Sequence, residues 1–386
     1  MYTLVSNPGS NSRKYALYEG FNEKASFLFD PNSGDPRCEV TIDGKSKDYR
    51  GKFFEKLSDS SYALKFLLYH ELGMAVDIDQ ILFRIVATGN YFTEDHIIDE
   101  ACMAELKKIE ARTPLHVPVA IDEILSLKNV FPEAKLMAIS DSKFHTTRPD
   151  VNKYYAFDTD VADEFEIKKF GAHGLSMQSI SSQLSEAGLM RENIIVCHIG
   201  SGCSVTALKK GKSFDTTMGY TPLEGLMMAT RSGSIDPAAV FALKRATNCS
   251  DSEVEELLNK HCGLLGVGGS NDFRDIMRDR KCDEKCALAY EMFVNSIQKA
   301  IGQMAASLGG IDALVLTATI SERNPVFRKD VVDNLDFLRL YINYSKNDNY
   351  SHLDGIKNIA TCDSKPIYVI PTNETAEMLK QAQKLS

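Results

Sequence analysis

Long apolar runs are missing from this chain. No uncharged apolar stretch among its 386 residues approaches the ~20 needed to span a membrane, and the opening segment MYTLVSNPGSNSRK lacks the apolar core of a signal peptide. An excess of positive charge is missing too, since 44 Lys+Arg stand against 53 Asp+Glu, a formal charge of −9. Nucleic acid and anionic membranes both require a dense Lys/Arg face, so neither is expected as a partner. A disulfide framework is absent as well. The nine cysteines are odd in number and scattered from Cys38 to Cys362, which is the pattern of reduced thiols. Only Cys282 and Cys286 are close at helical spacing, and no second Cys/His pair follows at zinc-site spacing. With 44% hydrophobic and 25% charged residues the chain is not disordered. A soluble, cytoplasmic protein is expected, long enough at ~150 residues per domain for two or three domains.

What is present reads as two αβ series. The first ~55 residues alternate as short strands broken by turns (YTLVS, KYALYEG, KASFLFD). A capped amphipathic helix is expected over 58–72, a buried strand at QILFRIVATG, helices over 100–111 and 120–127, and a strand at AKLMAIS. A second series begins near residue 165 with a helix at SMQSISSQLSEAGL, then the strand IIVCHIG and its hairpin partner CSVTALKKG. Helices over 236–246, 251–261 and 284–308 follow, then the buried strand ALVLTAT, a helix around 327–335, the strand KPIYVIPT and a last helix over 374–385. No Pro/Ser-rich linker separates the halves, so two closely packed domains with a cleft are expected.

One internal echo stands out. LVSN-PGSNS-RKYALY and VCHI-GSGCS-VTALKKG are both strand, Gly/Ser turn, strand, about 190 residues apart. Such turns expose bare backbone N–H groups and form anion nests, so a facing pair would cradle a polyphosphate; the competing reading is two tight hairpins in which Gly and Ser only satisfy turn geometry. The most specific run is 215–237, DTTMGYTPLEGLMMATRSGSIDP, a long polar loop with Gly219, Gly225 and Gly233 around Arg231. Arg231 offers a planar fork suited to a carboxylate or phosphoryl group. His116, His145, His173 and His198 sit beside Gly, Pro or Asp; singly each reads as a hydrogen-bonded structural histidine, together as a source of one or two site residues. Asp141 and Glu374 each follow a buried strand, a position that suits Mg²⁺ beside phosphates. Helix N-capping is the competing role for both.

Together these segments resemble the acetate kinases, of the superfamily that also holds sugar kinases, actin and the actin-like heat-shock chaperones. The resemblance runs collinearly over the whole chain: the N-x-G-S-x-S-x-K-Y turn from Asn7 to Tyr15, ARTPLHVP, SDSKFHTTRP, KKFGAHGLS, HIGSG, the run around Arg231, LLGVGGSNDFRD and VIPTNE. It implies an α/β fold of duplicated ribonuclease H-like (actin/hexokinase-type) domains flanking an active-site cleft. The first domain would span 1–143, joined by the C-terminal helix 375–386, and the second 144–374. It implies reversible, Mg²⁺-dependent, direct in-line phosphoryl transfer between ATP and acetate, giving acetyl phosphate and ADP, by a homodimer.

Carried over position by position, Arg84 and Arg231 would hold the carboxylate and the migrating phosphoryl group, and His173 would donate to its equatorial oxygens. Asp141 would orient Arg84 or polarise the Mg²⁺ shell, with Asn7 and Glu374 supporting the metal. Ser10, Ser12 and Lys14 would form the first phosphate turn, and His198, Gly200, Ser201 and Gly202 the second. Asp272, Phe273 and Arg274 would lie near the nucleotide together with Thr319, Ile320, Ser321 and Glu322. Val86, Leu115, Ala172 and Pro222 would line the acyl pocket.

The chain departs from the family pattern at several of these places. It reads FRIVATG where H-R-V-V-H-G-G is usual, and GSG with Ser201 where the turn usually has Asn. Val117, Met177 and Ala229 replace the usual Asn, His and Gly, and Thr319-Ile320-Ser321-Glu322-Arg323 replaces G-I-G-E-N. Added Cβ atoms in that last turn are expected to crowd the adenosine. Three alternatives therefore stay open: another donor (GTP or pyrophosphate), a longer acyl substrate (propionate or butyrate), or a catalytically weak ligand-binding relative.

Overall fold

The computed structural model describes residues 1–8, 13–30, 36–51, 60–73, 77–113, 116–351 and 355–385. The chain divides into two compact units, Met1–Lys143 with Asn373–Ser386, and Phe144–Thr372. Among the described residues no helix is long and apolar enough to cross a membrane.

The first unit is built on an eight-stranded sheet. Its strands are β1 (Tyr2–Pro8), β2 (Arg13–Glu19), β3 (Asn22–Asp30), β4 (Arg37–Ile42), β5 (Lys45–Arg50), β6 (Gln80–Ile85), β7 (His96–Ile97) and β8 (Lys135–Ser140), in the order β5-β4-β3-β2-β1-β6-β8-β7. β1 runs antiparallel to β2 and parallel to β6, and β6 is parallel to β8. Helices Ser60–Leu72 and Val117–Val130 bury Leu64, Leu67, Ile124 and Leu127 in one core with Leu4, Leu17, Phe27, Ile81 and Phe83 of the sheet. The buried positions of Val117–Val130 recur at three- and four-residue steps (Val117, Ala120, Ile121, Ile124, Leu127), which is what makes this segment an amphipathic helix.

The second unit repeats the wiring. Strands β9 (Asn193–Ile199), β10 (Cys203–Lys209), β11 (Lys212–Thr216), β12 (Ala313–Thr317), β13 (Lys357–Asn358) and β14 (Ile367–Val369) form a sheet of order β11-β10-β9-β12-β14-β13. As in the first sheet, where the antiparallel meander has five strands (β1–β5), an antiparallel meander, here of three, is extended from its first strand by two parallel strands, since β9 is parallel to β12 and β12 to β14. Every residue of β12 is buried, which is why ALVLT reads as an uninterrupted apolar run. Helix Gly174–Glu186 packs Met177, Ile180 and Leu184 against Ile194, Val196, Leu208 and Val315. The duplicated α/β architecture implied by the resemblance is thus visible as one strand pattern drawn twice.

Some elements differ from the sequence reading. Thr319–Arg323 is a short helix, not a turn, because Glu322 folds back to accept from the Ala318 N–H (2.8 Å) and buried Arg328 donates to the carbonyls of Ser321 (2.7 Å) and Glu322 (2.9 Å). Short helices at Gly263–Gly268 and Phe273–Asp279 were also not anticipated. The first is glycine-rich and has low intrinsic helix propensity, so only its surroundings make it helical.

A buried ion pair ties the helix Val117–Val130 to the first hairpin. Glu123, 3% exposed, accepts from Arg13 Nε at 3.0 Å and from Ser6 Oγ at 3.1 Å. Burial and the Glu123 charge push the Tyr15 hydroxyl in this network well above its ordinary pKa. Glu123→Gln removes the carboxylate charge that faces the buried Arg13 guanidinium. It is expected to cost about 3–5 kcal/mol, whereas a neutral pair such as Arg13→Met with Glu123→Leu recovers most of the loss. Scanning calorimetry checks both; an unchanged melting temperature for Glu123→Gln contradicts the assignment.

Candidate active site

In the first unit the carboxyl ends of the parallel strands converge on one guanidinium. Arg84 is the penultimate residue of β6, Asn7 lies near the end of neighbouring β1, Asp141 directly follows β8 on the other side, and Glu374 opens the helix Glu374–Ala382. Arg84 Nη2 donates to Asp141 Oδ2 at 2.9 Å. Its Nη1 lies 3.3 Å from Glu374 Oε2 and 3.4 Å from Asn7 Oδ1. Burial opposes the charge on Arg84, but Asp141 and Glu374 outweigh it and hold the guanidinium above its ordinary pKa, so it stays cationic. Asp141 is fully buried. Arg84 Nε is buried and has no hydrogen-bond partner among the described residues.

Glu374 therefore serves as a charge partner of Arg84, and the capping role falls to Asn373, whose side chain accepts from Ala376 N at 3.0 Å. Asn7, Asp141 and Glu374 offer only oxygen donors, the chemistry that suits a hard divalent cation such as Mg²⁺. Among the described residues no group of three or more His, Cys, Asp and Glu could hold a metal ion.

In the second unit two histidines stack. His173 and His198 lie with ring centroids 4.1 Å apart and planes inclined by 27°. His173 Nδ1 is 3.0 Å from Ser204 Oγ, and His198 Nδ1 is 2.8 Å from Ser176 Oγ. The β9–β10 turn at Gly200–Gly202 passes beside them. A Cβ on Gly202 would lie 3.3 Å from His173 Nε2 and 3.9 Å from Arg231 Nη1, so an absent side chain leaves open the space on which both groups converge. Gly200 N–H donates to Gly202 C=O at 3.1 Å, and a Cβ on Gly200 would come 3.8 Å from Ala318 Cβ, which places the head of the Thr319–Arg323 helix beside this turn. Burial pushes the Cys203 thiol up to about 12 although the backbone at Gly200 and the Arg231 charge draw it down, so this cysteine is inert packing.

The loop over 215–237 is a folded strap. Ser232 N donates to Leu258 C=O (3.0 Å), Cys262 N to Thr230 C=O (2.9 Å), Leu264 N to Met228 C=O (2.9 Å) and Leu265 N to Ala229 C=O (3.0 Å). Ala229 N reaches Ser201 C=O at 3.3 Å, which joins the loop to the β9–β10 turn. Arg231 Nη1 donates to Pro222 C=O at 3.3 Å. Tyr155, outside every motif named above, donates its hydroxyl to Glu224 and accepts from Tyr220 N at 2.8 Å.

The remaining sequence-derived positions divide. Ser10, Ser12 and Leu115 lie outside the described residues, and Lys14 is exposed on β2. Val86 is half-buried just past β6, and the Ala172 side chain is buried. Asp272 caps the helix Phe273–Asp279 and pairs with Arg274 at 2.6 Å, both near the surface. Phe273 is a core residue, packed among Tyr290, Phe293 and Phe327 with ring centroids 5.3–6.1 Å apart. Ser321 and Glu322 are buried inside the fold, while Thr319 is exposed and Ile320 half-buried. Ser176 and Ser204 stood within quoted motifs but escaped notice, because nothing in the sequence says which serine meets which imidazole.

Comparison with known proteins gives a consistent result. Residues 2–380 match the model of the acetokinase family. The acetate kinase of Thermoanaerobacterium thermosaccharolyticum is 35% identical over 405 aligned residues, covering 100% of this chain and 99% of the relative. That of Thermotoga maritima is 34% identical, covering 100% and 98%. Among solved structures, a propionate kinase from Francisella tularensis superposes with a TM-score of 0.88 at 32% identity, covering 98% of each chain. The acetate kinase of Entamoeba histolytica gives 0.83 at 27%, covering 100% of this chain and 99% of that one.

The strap around Arg231 generates a test of its own. Gly263 has φ +64°, and a Cβ there would fall 2.1 Å from Met228 O and 2.8 Å from Arg231 O, both backbone atoms of the Arg231 turn. Gly263→Ala is expected to lower the melting temperature by at least about 5 °C. An unchanged melting temperature would mean the strap does not hold the turn.

Proposed function

We propose that this chain, which belongs to the acetokinase family, catalyses reversible Mg²⁺-dependent transfer of a phosphoryl group between ATP and acetate, giving acetyl phosphate and ADP. The observation that carries the reading is the guanidinium of Arg84. Two carboxylates keep it charged, yet its Nε is buried with no partner among the described residues, a donor left over for an anionic ligand.

In this reading Arg84 and Arg231 bind the acetate carboxylate and neutralise the charge that spreads over the migrating phosphoryl group. Asp141, fully buried, fixes the orientation of the Arg84 fork. His173 donates from Nε2 to an equatorial oxygen of the phosphoryl group as it passes between donor and acceptor, while Ser204 and the His198 ring hold its imidazole plane. Within the Gly200–Gly202 turn, the N–H groups of Ser201 and Gly202 bind phosphate oxygens. Asn7 and Glu374 would hold Mg²⁺, which when bound neutralises polyphosphate charge. No side chain becomes covalently attached; the protein positions the reactants and supplies charge. We further take the enzyme to act as a cytoplasmic homodimer, on the family resemblance.

Acetate with ATP is favoured over the competing readings because the curated relatives named above are acetate kinases. The propionate kinase structure identifies the acyl group that most needs testing against it. The test is a panel of acetate, propionate and butyrate crossed with ATP, GTP and pyrophosphate in Mg²⁺, with acyl phosphate trapped by hydroxylamine. Highest turnover is expected with acetate and ATP, and Arg231→Ala is expected to lower it by about two orders of magnitude or more without loss of fold. Silence throughout, a strict preference for another donor, or an unaffected Arg231→Ala would overturn the reading.

A further inference from the structure

We propose that Arg148, assisted by His145, is a positioning residue for His173, clamping the segment 169–172 so that the imidazole faces Gly202. Arg148 is 2% exposed, an unusual place for a guanidinium. Among the described residues its N–H groups go to four backbone carbonyls and to no carboxylate. Nε donates to His145 C=O at 3.0 Å, Nη1 to Asn152 C=O at 3.2 Å, and Nη2 to Phe170 C=O at 3.0 Å and to Lys169 C=O. Burial draws its pKa down to about 10 against the opposing pull of Asp215, Tyr155 and Glu224, so it remains cationic at neutral pH.

A buried cation with no directly hydrogen-bonded carboxylate among the described residues is expensive, and its retention is explained by what it holds. The segment it grips is tied at every following step. Phe170 N and Gly171 N both donate to Gly219 C=O at 3.0 Å. His145 Nε2 donates to Ala172 C=O at 2.9 Å while its Nδ1 faces Ser213 Oγ at 2.8 Å. Gly171 has φ +82° and lies so close to His145 that a Cβ would meet the ring at 2.9 Å.

The next residue is His173 itself, at φ 59° and ψ 23°, a left-handed conformation for a residue with a side chain. That geometry is unfavourable for a residue with a Cβ and persists only where the surroundings impose it. Nothing in the phosphoryl-transfer reading uses Arg148 directly; its effect reaches the reaction through His173. The inference therefore rests on the role given to His173 above.

The test is a double-mutant cycle on the full chain, with initial rates of hydroxylamine-trapped acetyl phosphate and thermal melts for every variant. Arg148→Met is expected to lower kcat by about tenfold or more with KM for acetate and ATP within about twofold, since His173 acts on the transition state and not on ground-state binding. In the His173→Ala background the same substitution is expected to change kcat by less than about twofold, although the melting temperature still falls. A comparable kcat loss in both backgrounds, or wild-type kcat in Arg148→Met, overturns the proposal. If Arg148→Met fails to fold, Arg148→Lys and His145→Gln run the same cycle with the same criteria. A His173→Ala enzyme with wild-type kcat would instead overturn the role of His173, so the two failures are distinguishable.

Discussion

The guanidinium of Arg84 is the point on which the rest of the first unit depends. An arginine at the end of a buried parallel strand would be costly alone. Fully buried Asp141 at 2.9 Å and Glu374 at 3.3 Å make it tolerable and fix its plane. The three groups come from β6, from the residue after β8 and from the first turn of the last helix, so the helix Glu374–Ala382 has an electrostatic reason to start where it does. Its seat is reinforced by the Tyr18 hydroxyl, which lies 2.8 Å from Thr375 Oγ1. After these contacts Arg84 Nε is still a buried donor with no partner among the described residues, and the proposed chemistry starts from it.

The second unit solves the corresponding problem by backbone geometry instead of ion pairing. His173 and Arg231 converge over Gly202 because the turn there has no Cβ, because residues 169–172 are pinned by Arg148, His145 and Gly219, and because the Arg231 loop is strapped to residues 258–265. Both sheets place their reactive groups at the same topological position, around the first hairpin and the carboxyl ends of the parallel strands. Duplication thus explains why two Gly/Ser turns about 190 residues apart look alike.

Much of this was legible in the sequence. Alternation and apolar runs gave β1–β3, β8–β10 and β12 to within about two residues at each end, and the helix Glu284–Leu308 was read with its observed bounds, whereas the strands expected at QILFRIVATG and KPIYVIPT are shorter, Gln80–Ile85 and Ile367–Val369. The helix Thr319–Arg323 was not legible, since the Glu322 carboxylate and Arg328 that fold it act through contacts that spacing does not reveal. Phe273 looked like a nucleotide contact because it stands in SNDFRD, yet its ring completes an aromatic core with residues up to 54 positions away, Phe327 being the farthest. Arg148 sat in a quoted motif without a role, because a buried and a surface arginine are spelled alike. Asn7, Arg84, Asp141 and Glu374 are the reverse case: expected near one another from strand-end position and the family resemblance, they meet in one cluster.

The central claim is that a planar, carboxylate-held fork at position 84, and not merely a positive charge, performs the chemistry. Arg84→Lys tests it most directly, because lysine keeps the charge beside Asp141 and Glu374 but removes Nε and the paired donors. The account predicts that turnover of acetate and ATP falls by about 100-fold or more while circular dichroism and melting temperature stay close to those of the parent. A lysine enzyme with near-parent turnover would contradict it.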